Sequence, residues 1–168
     1  MNKIIEAIIQ SLGENNFPGY RIFVLNTDSD KKFAKELINE LRRCGFLCWD
    51  SENCILPGKL HKIEQEKAIY EADIVLAIMS KATTSTEGRY AALLKIAADA
   101  QLEKSDDGIK LISLLINQVE LPYEYRPYRP LDLTDITNAN KVRQSLDYEK
   151  NRRKEKGIKQ SKTEAIWL

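Results

Sequence analysis

Few residues in this 168-residue chain have side chains suited to chemistry, and they are scattered. Its three cysteines, Cys44, Cys48 and Cys54, fall within one short stretch, and His61 is its only histidine. Their spacing matches no common zinc knuckle. No metal site is expected, and the cysteines read as reduced thiols at the edge of a core. The loops that cradle phosphates are missing as well: neither G-x-G-x-x-G nor G-x-x-x-x-G-K-[ST] occurs. Trp49 is either a ring for a ligand to stack on or a core aromatic at a strand end. Asp28 reads as a helix N-cap before it reads as a ligand contact. Residues 149–162 (EKNRRKEKGIKQSK) are strongly basic. With no aromatic interleaved, they read as a solvated helix end fraying into a flexible tail rather than a phosphate or lipid contact. The apolar close, 165–168 (AIWL), either docks on the domain, docks on a neighbouring chain, or leads into further sequence.

These residues need elements to position them. With 43% hydrophobic and 30% charged residues, the chain suits one domain with a single core. A net charge of +1 provides no global field, so no nucleic-acid partner is expected. No apolar run is long enough to span a bilayer, so no membrane association is expected. Residues 1–12 carry Glu6, Gln10 and Ser11 and lack a small-residue cleavage site, unlike a signal peptide. Apolar positions Ile4, Ile5, Ala7, Ile8 and Leu12 predict a helix that Gly13 can cap. Residues 20–25 (YRIFVL) predict a buried strand, 26–30 a loop with N-cap residues, and 33–43 a helix. The pattern repeats with a strand at 46–49, a loop at Leu56-Pro57-Gly58, a helix over Leu60 to Ile69 and an apolar strand at 74–79 (IVLAIM). A helix over about 85–102, a polar turn at 104–108, strands at 109–116 and 131–133 and a helix from near Thr137 complete it. Strands apolar on both faces and alternating with helices predict an α/β fold. Its expected form is a flavodoxin-like, doubly wound five-stranded parallel sheet with helices on both faces.

Four motifs in order resemble those of the TIR (Toll/interleukin-1 receptor) domain family, bacterial type. The first is the strand Ile22-Phe23-Val24-Leu25 with the polar loop ending in Asp30. Then come Leu47-Cys48-Trp49-Asp50 with Leu56-Pro57-Gly58, and Glu71-Ala72-Asp73 with IVLAIM and Ser80. The last is Leu114-Leu115-Ile116 with the Leu121-Pro122 turn, followed by the strand Leu131-Asp132-Leu133. Each motif alone is common; their order and spacing are not. The resemblance covers about 20–148, with 1–19 as an N-terminal helix and loop and 149–168 as a basic C-terminal tail.

The resemblance implies NAD⁺ as substrate, no cofactor, and hydrolase or ADP-ribose cyclase activity at the nicotinamide–ribose bond. It also implies activation by homotypic TIR–TIR assembly, a cytoplasmic location, a role in bacterial antiviral defence or virulence, and in some cases a further domain or partner protein. In such chemistry the bond breaks through an oxocarbenium-like state that a carboxylate stabilises, and nicotinamide leaves without an acid. In the family that carboxylate is a glutamate on the helix after the third strand. Counted from Ser80, its slot falls on Ala92, or on Leu93 if the loop is one residue longer. With Ala92 as written the chain is expected to be a very poor NADase. Three readings are open: an introduced Glu-to-Ala change at Ala92, a natural non-catalytic TIR that binds a nucleotide or only other TIR domains, or Glu87 serving through a shifted loop. Glu87 stands more than a turn earlier on the helix, so its side chain is expected to face elsewhere. The substrate-binding residues implied are Leu25, Asn26, Asp28, Trp49, Leu56, Pro57, Gly58, Ser80 and Thr83. The Leu-Pro-Gly loop is also the family's usual self-association surface.

Overall fold

In a computed structural model the described residues are 2–85, 87–103 and 108–168. Helix α1 (Lys3–Leu12) is capped by the Asn2 side chain, which accepts from Ile4 N–H at 2.8 Å. It ends at Gly13, where φ is +68° and a Cβ would stand 2.6 Å from the Asn16 amide, so only glycine fits. There follow β1 (Arg21–Leu25), α2 (Lys31–Arg43), β2 (Leu47–Cys48), α3 (His61–Glu71) and β3 (Ile74–Met79). The chain continues through α4 (Arg89–Leu102), β4 (Leu111–Leu115), β5 (Leu131–Asp132) and α5 (Asn140–Lys156).

The five strands pair in the order β2-β1-β3-β4-β5, every pair parallel, as expected of a flavodoxin-like sheet. β3 is apolar throughout because both its faces are covered. Ile74, Leu76 and Ile78 pack with Ile8, Leu37, Leu41, Val142 and Leu146 of α1, α2 and α5. Val75, Ala77 and Met79 pack with Ile69, Leu93, Leu94 and Ala97 of α3 and α4. Ile5, Ile8 and Leu12 are fully buried, so α1 is part of the same core rather than an appendage.

Several boundaries differ from those predicted. β2 is two residues long, and β4 starts at Leu111, because Ile109 N–H is drawn to the Glu149 carboxylate at 3.1 Å. α4 starts at Arg89 rather than Ser85: Gly88 has φ of +96°, and the Ser85 hydroxyl accepts from Glu87 N–H in a local turn. Of the polar turn predicted at 104–108, residues 104–107 lie outside the described residues.

The largest correction concerns 149–168. α5 continues to Lys156, and Glu149 and Arg152 are buried against each other, Nη2 to Oε1 at 2.7 Å, instead of fraying in solvent. The charges are held inside because Glu149 meets Arg152 and Arg153 on its own helix and Ile109 N–H from a distant part of the chain. The apolar close docks on the domain, with Ala165 in the core beneath α3 and α4. No helix among the described residues is long and apolar enough to cross a membrane.

Candidate functional site

In a sheet of this order the chain leaves β1 and β3 in opposite directions, which opens a crevice at their carboxyl ends. Two adjoining cavities, of about 340 and 610 Å³, occupy it and share Asn26, Asp28, His61 and Gln65. Together they form one cleft. The smaller part runs between α2 and the loop after β2, with Trp49 on its wall. That ring stacks on Phe23, centroids 5.4 Å apart, and meets His61 edge-on at 6.4 Å. Trp49 is therefore a buried core aromatic that also lines a cavity. The larger part is walled by Thr83, Ser85, Glu87, Arg89, Tyr90 and Leu93.

Hydrogen bonds fix the floor. Asp30 accepts from the Ser80 hydroxyl at 2.6 Å and from the Thr27 hydroxyl at 3.1 Å, tying the loop after β1 to the end of β3. Ser80 N–H donates to the Thr83 hydroxyl at 3.0 Å. The Tyr90 hydroxyl donates to the Ile78 carbonyl at 2.7 Å, and burial pushes its pKa far up, so it remains a neutral donor. Arg89 reaches across to α3, donating to Gln65 Oε1 at 3.1 Å and to the Lys62 carbonyl at 3.3 Å. On the α2 side Arg42 donates to Asp50 Oδ2 at 2.6 Å. Burial raises the pKa of Asp50, but hydrogen bonds from Arg42 and Asn53 outweigh this and hold it below the ordinary carboxylate value. Lys31, Lys35, Arg42, Lys62 and Arg89 thus face a cleft that also carries Asp28, Asp50, Glu52 and Glu87. Mixed charge beside an aromatic wall suits an elongated ligand with phosphates and a flat ring.

Of the residues expected to bind substrate, Asn26, Asp28, Trp49 and Thr83 line the cleft. Asp28 makes no side-chain cap; it opens a short 3-10 turn, Asp28–Asp30, and is exposed. Leu25 is buried in the core, and Ser80 is buried outside the cleft, lining a separate cavity while its hydroxyl donates to Asp30. Leu56, Pro57 and Gly58 form an exposed turn outside both cavities. Ala92 also stands outside: it is exposed, while Leu93 next to it is buried and lines the cleft. Glu87 lines the cleft from the turn before α4.

Sequence reasoning missed His61, Gln65, Lys62 and Arg89. His61 and Gln65 are four apart on α3, a spacing that puts both on one helix face and was a readable signal. The cysteines are free and buried; burial pushes the Cys48 thiol up to about 12, which leaves it inert at neutral pH. Among the described residues no group of three or more His, Cys, Asp or Glu is placed to hold a metal.

Comparison with known proteins follows the same lines. The family model for the TIR domain matches residues 22–153. The fold is similar to the TIR domain of the Toll-related receptor TRR-2 from Hydra magnipapillata, with a TM-score of 0.58 and 17% identity. That match covers 78% of this chain and 97% of the other. No curated protein matches the chain.

Proposed function

Because this chain belongs to the TIR domain family, we propose that its cleft binds NAD⁺ and cleaves the nicotinamide–ribose bond, with Glu87 supplying the carboxylate. One observation carries this reading. Glu87 lines the cleft together with Asp28, Arg89 and Lys62, whereas Ala92 faces solvent outside it. An alanine at position 92 therefore does not empty the cleft of carboxylates. The cations would hold the pyrophosphate, Trp49 or Tyr90 would meet a ring, and Glu87 would face the ribose as positive charge develops on it. Nicotinamide leaves as a neutral group, so no acid is required.

The test is nicotinamide release from NAD⁺ at high protein concentration, since homotypic assembly is part of the proposed activation. Glu87→Gln should lower the rate about 10²–10³-fold, the usual effect of removing one group that stabilises transition-state charge. Ala92→Glu should leave it unchanged. A wild-type chain silent in every assembly state sinks the enzymatic reading.

A second reading is favoured by the surface next to the cleft. Leu56, Leu60 and Ile63 are 55%, 67% and 46% exposed on the loop after β2 and the first turn of α3. Apolar side chains so exposed together suit self-association without chemistry. Leu60→Asp would then abolish concentration-dependent assembly in sedimentation, with no nicotinamide release by either form.

A further inference from the structure

The amino end of the sheet is closed by a segment with no regular secondary structure. Beyond α5 the chain turns at Gly157, φ +65°, and residues 158–168 run beneath β1 and the end of α3 to the outer edge of β2. Gln160 donates to Asp73 at 2.6 Å, and Arg21 donates to the Ser161 carbonyl at 2.6 Å and the Thr163 hydroxyl at 3.0 Å. The Glu71 carboxylate then accepts from Glu164 N–H at 2.7 Å, from Ala165 N–H at 2.9 Å and from the Trp167 indole at 3.4 Å. Finally Leu168 exchanges two backbone hydrogen bonds with Cys48, at 2.8 and 3.3 Å.

Most of this segment is exposed, and Ala165 alone is buried. Ile166 and Trp167 pack half-buried beside Ala165, with Trp167 under Arg21, but residues 157–164 are exposed and held by polar contacts, so the segment opens at lower free energy than the core. Its far end touches the candidate site. The Leu168 backbone oxygen accepts from Arg42 Nε at 3.0 Å, and the same guanidinium holds the Cys48 carbonyl at 3.0 Å and Asp50 at 2.6 Å. Asp50 in turn accepts from Asn53 N–H at 2.8 Å, and Arg42, Asp50 and Asn53 all line the cleft.

We infer that residues 157–168 are a releasable strap whose docking sets the Arg42–Asp50–Asn53 wall of the cleft, so that lifting it changes how the cleft holds its ligand. The last step rests on the NAD⁺ reading. Glu71 is the catch, and Arg42 is a positioning residue that carries the strap's state to the wall. With the strap lifted, Arg42 loses one acceptor, the outer edge of β2 loses its partner, and the turn at Asp50 loosens.

The experiment uses the full chain in three forms: wild type, Glu71→Ala, and Ala165→Asp with Trp167→Ala within the strap itself. Amide hydrogen exchange at Cys48, Asn53 and Cys54 reads the wall without any ligand, and NAD⁺ titration reads the cleft. In both variants exchange at Asn53 and Cys54 should quicken about tenfold or more, and NAD⁺ affinity should shift about fivefold. The strap variant leaves Glu71 and every residue of the sheet unchanged, so it decides the matter if Glu71→Ala fails to fold. If strap amides exchange freely while Asn53 and Cys54 remain protected, the coupling is overturned. If the wall loosens and NAD⁺ binds all three forms equally, the regulatory step is overturned. No NAD⁺ binding to any form refutes the proposed ligand and with it that step, while exchange still judges the coupling.

Discussion

The two ends of the sheet handle charge in opposite ways. At the amino end Arg21, Glu71, Asp73, Lys110, Glu149 and Arg152 are all buried and meet polar or charged partners, although Arg21 Nε has only an ion contact with Asp73 at 3.8 Å. Asp73 accepts from Arg21 N–H at 2.7 Å and from Arg153, and Lys110 donates to the Ala72 carbonyl at 2.6 Å. At the carboxyl end Asp28, Glu87, Lys62 and Arg89 are exposed around a cleft. Closed pairs of buried charges serve structure, because desolvating them is tolerable only when every one is satisfied. Charges left facing a concave space are available to a ligand. The buried charges of one end thus hold the fold, and the exposed charges of the other face a space open to a ligand.

The largest effect should come from breaking the closed end. Asp73→Asn keeps the volume but leaves Arg153 and Arg21 facing a neutral amide. Burial opposes the Arg153 charge, but its bonds to Asp73 and Glu149 outweigh this and hold its pKa above the ordinary value. Denaturant unfolding should show a loss of about 3–5 kcal/mol, the cost of uncompensated buried charge. A loss under about 1 kcal/mol would mean that water reaches this end freely.

A smaller effect tests how dry the edge beside the strap is. The Cys48 thiol ordinarily titrates at 9.0, and burial raises it to about 12 in the folded chain. Between those values the unfolded chain loses this proton and the folded chain keeps it, so stability present below pH 9 falls as pH rises. Cys48→Ser should lessen that slope by up to about 1.4 kcal/mol per pH unit. Denaturant midpoints at pH 8, 9 and 10 measure it, and equal slopes would show that the edge is open to water.

How far the sequence revealed these two ends follows from what each depends on. The strand 74–79 was readable because its apolar run is local, and its alternate faces needed only helices on both sides. The closed end was not readable: residues 21, 71–73, 110 and 149–153 meet only in the folded chain, so a basic stretch looked solvated. The helix position of the expected carboxylate is undecided by the sequence for a different reason. Each added loop residue turns the helix face by about 100°, so counting from Ser80 could not separate exposed Ala92 from buried Leu93. The cleft's loop residues Asn26, Asp28 and Thr83 were legible because they follow directly from strand ends.

The smallest expected effect on stability is also the sharpest test of the comparison. Asp28 lines both parts of the cleft and is exposed, with no side-chain cap to the turn it opens. Asp28→Asn removes one charge at nearly constant volume, the same change as at Asp73. Its cost should stay within about 0.5 kcal/mol, as for surface positions outside any network. NAD⁺ binding or turnover should nonetheless weaken, because the lost carboxylate faces the space a ligand would fill. If Asp28→Asn costs as much as Asp73→Asn, the cleft charges are structural too and the contrast between the two ends fails. If it alters neither stability nor NAD⁺ handling, Asp28 is a bystander and the working carboxylate is Glu87 alone.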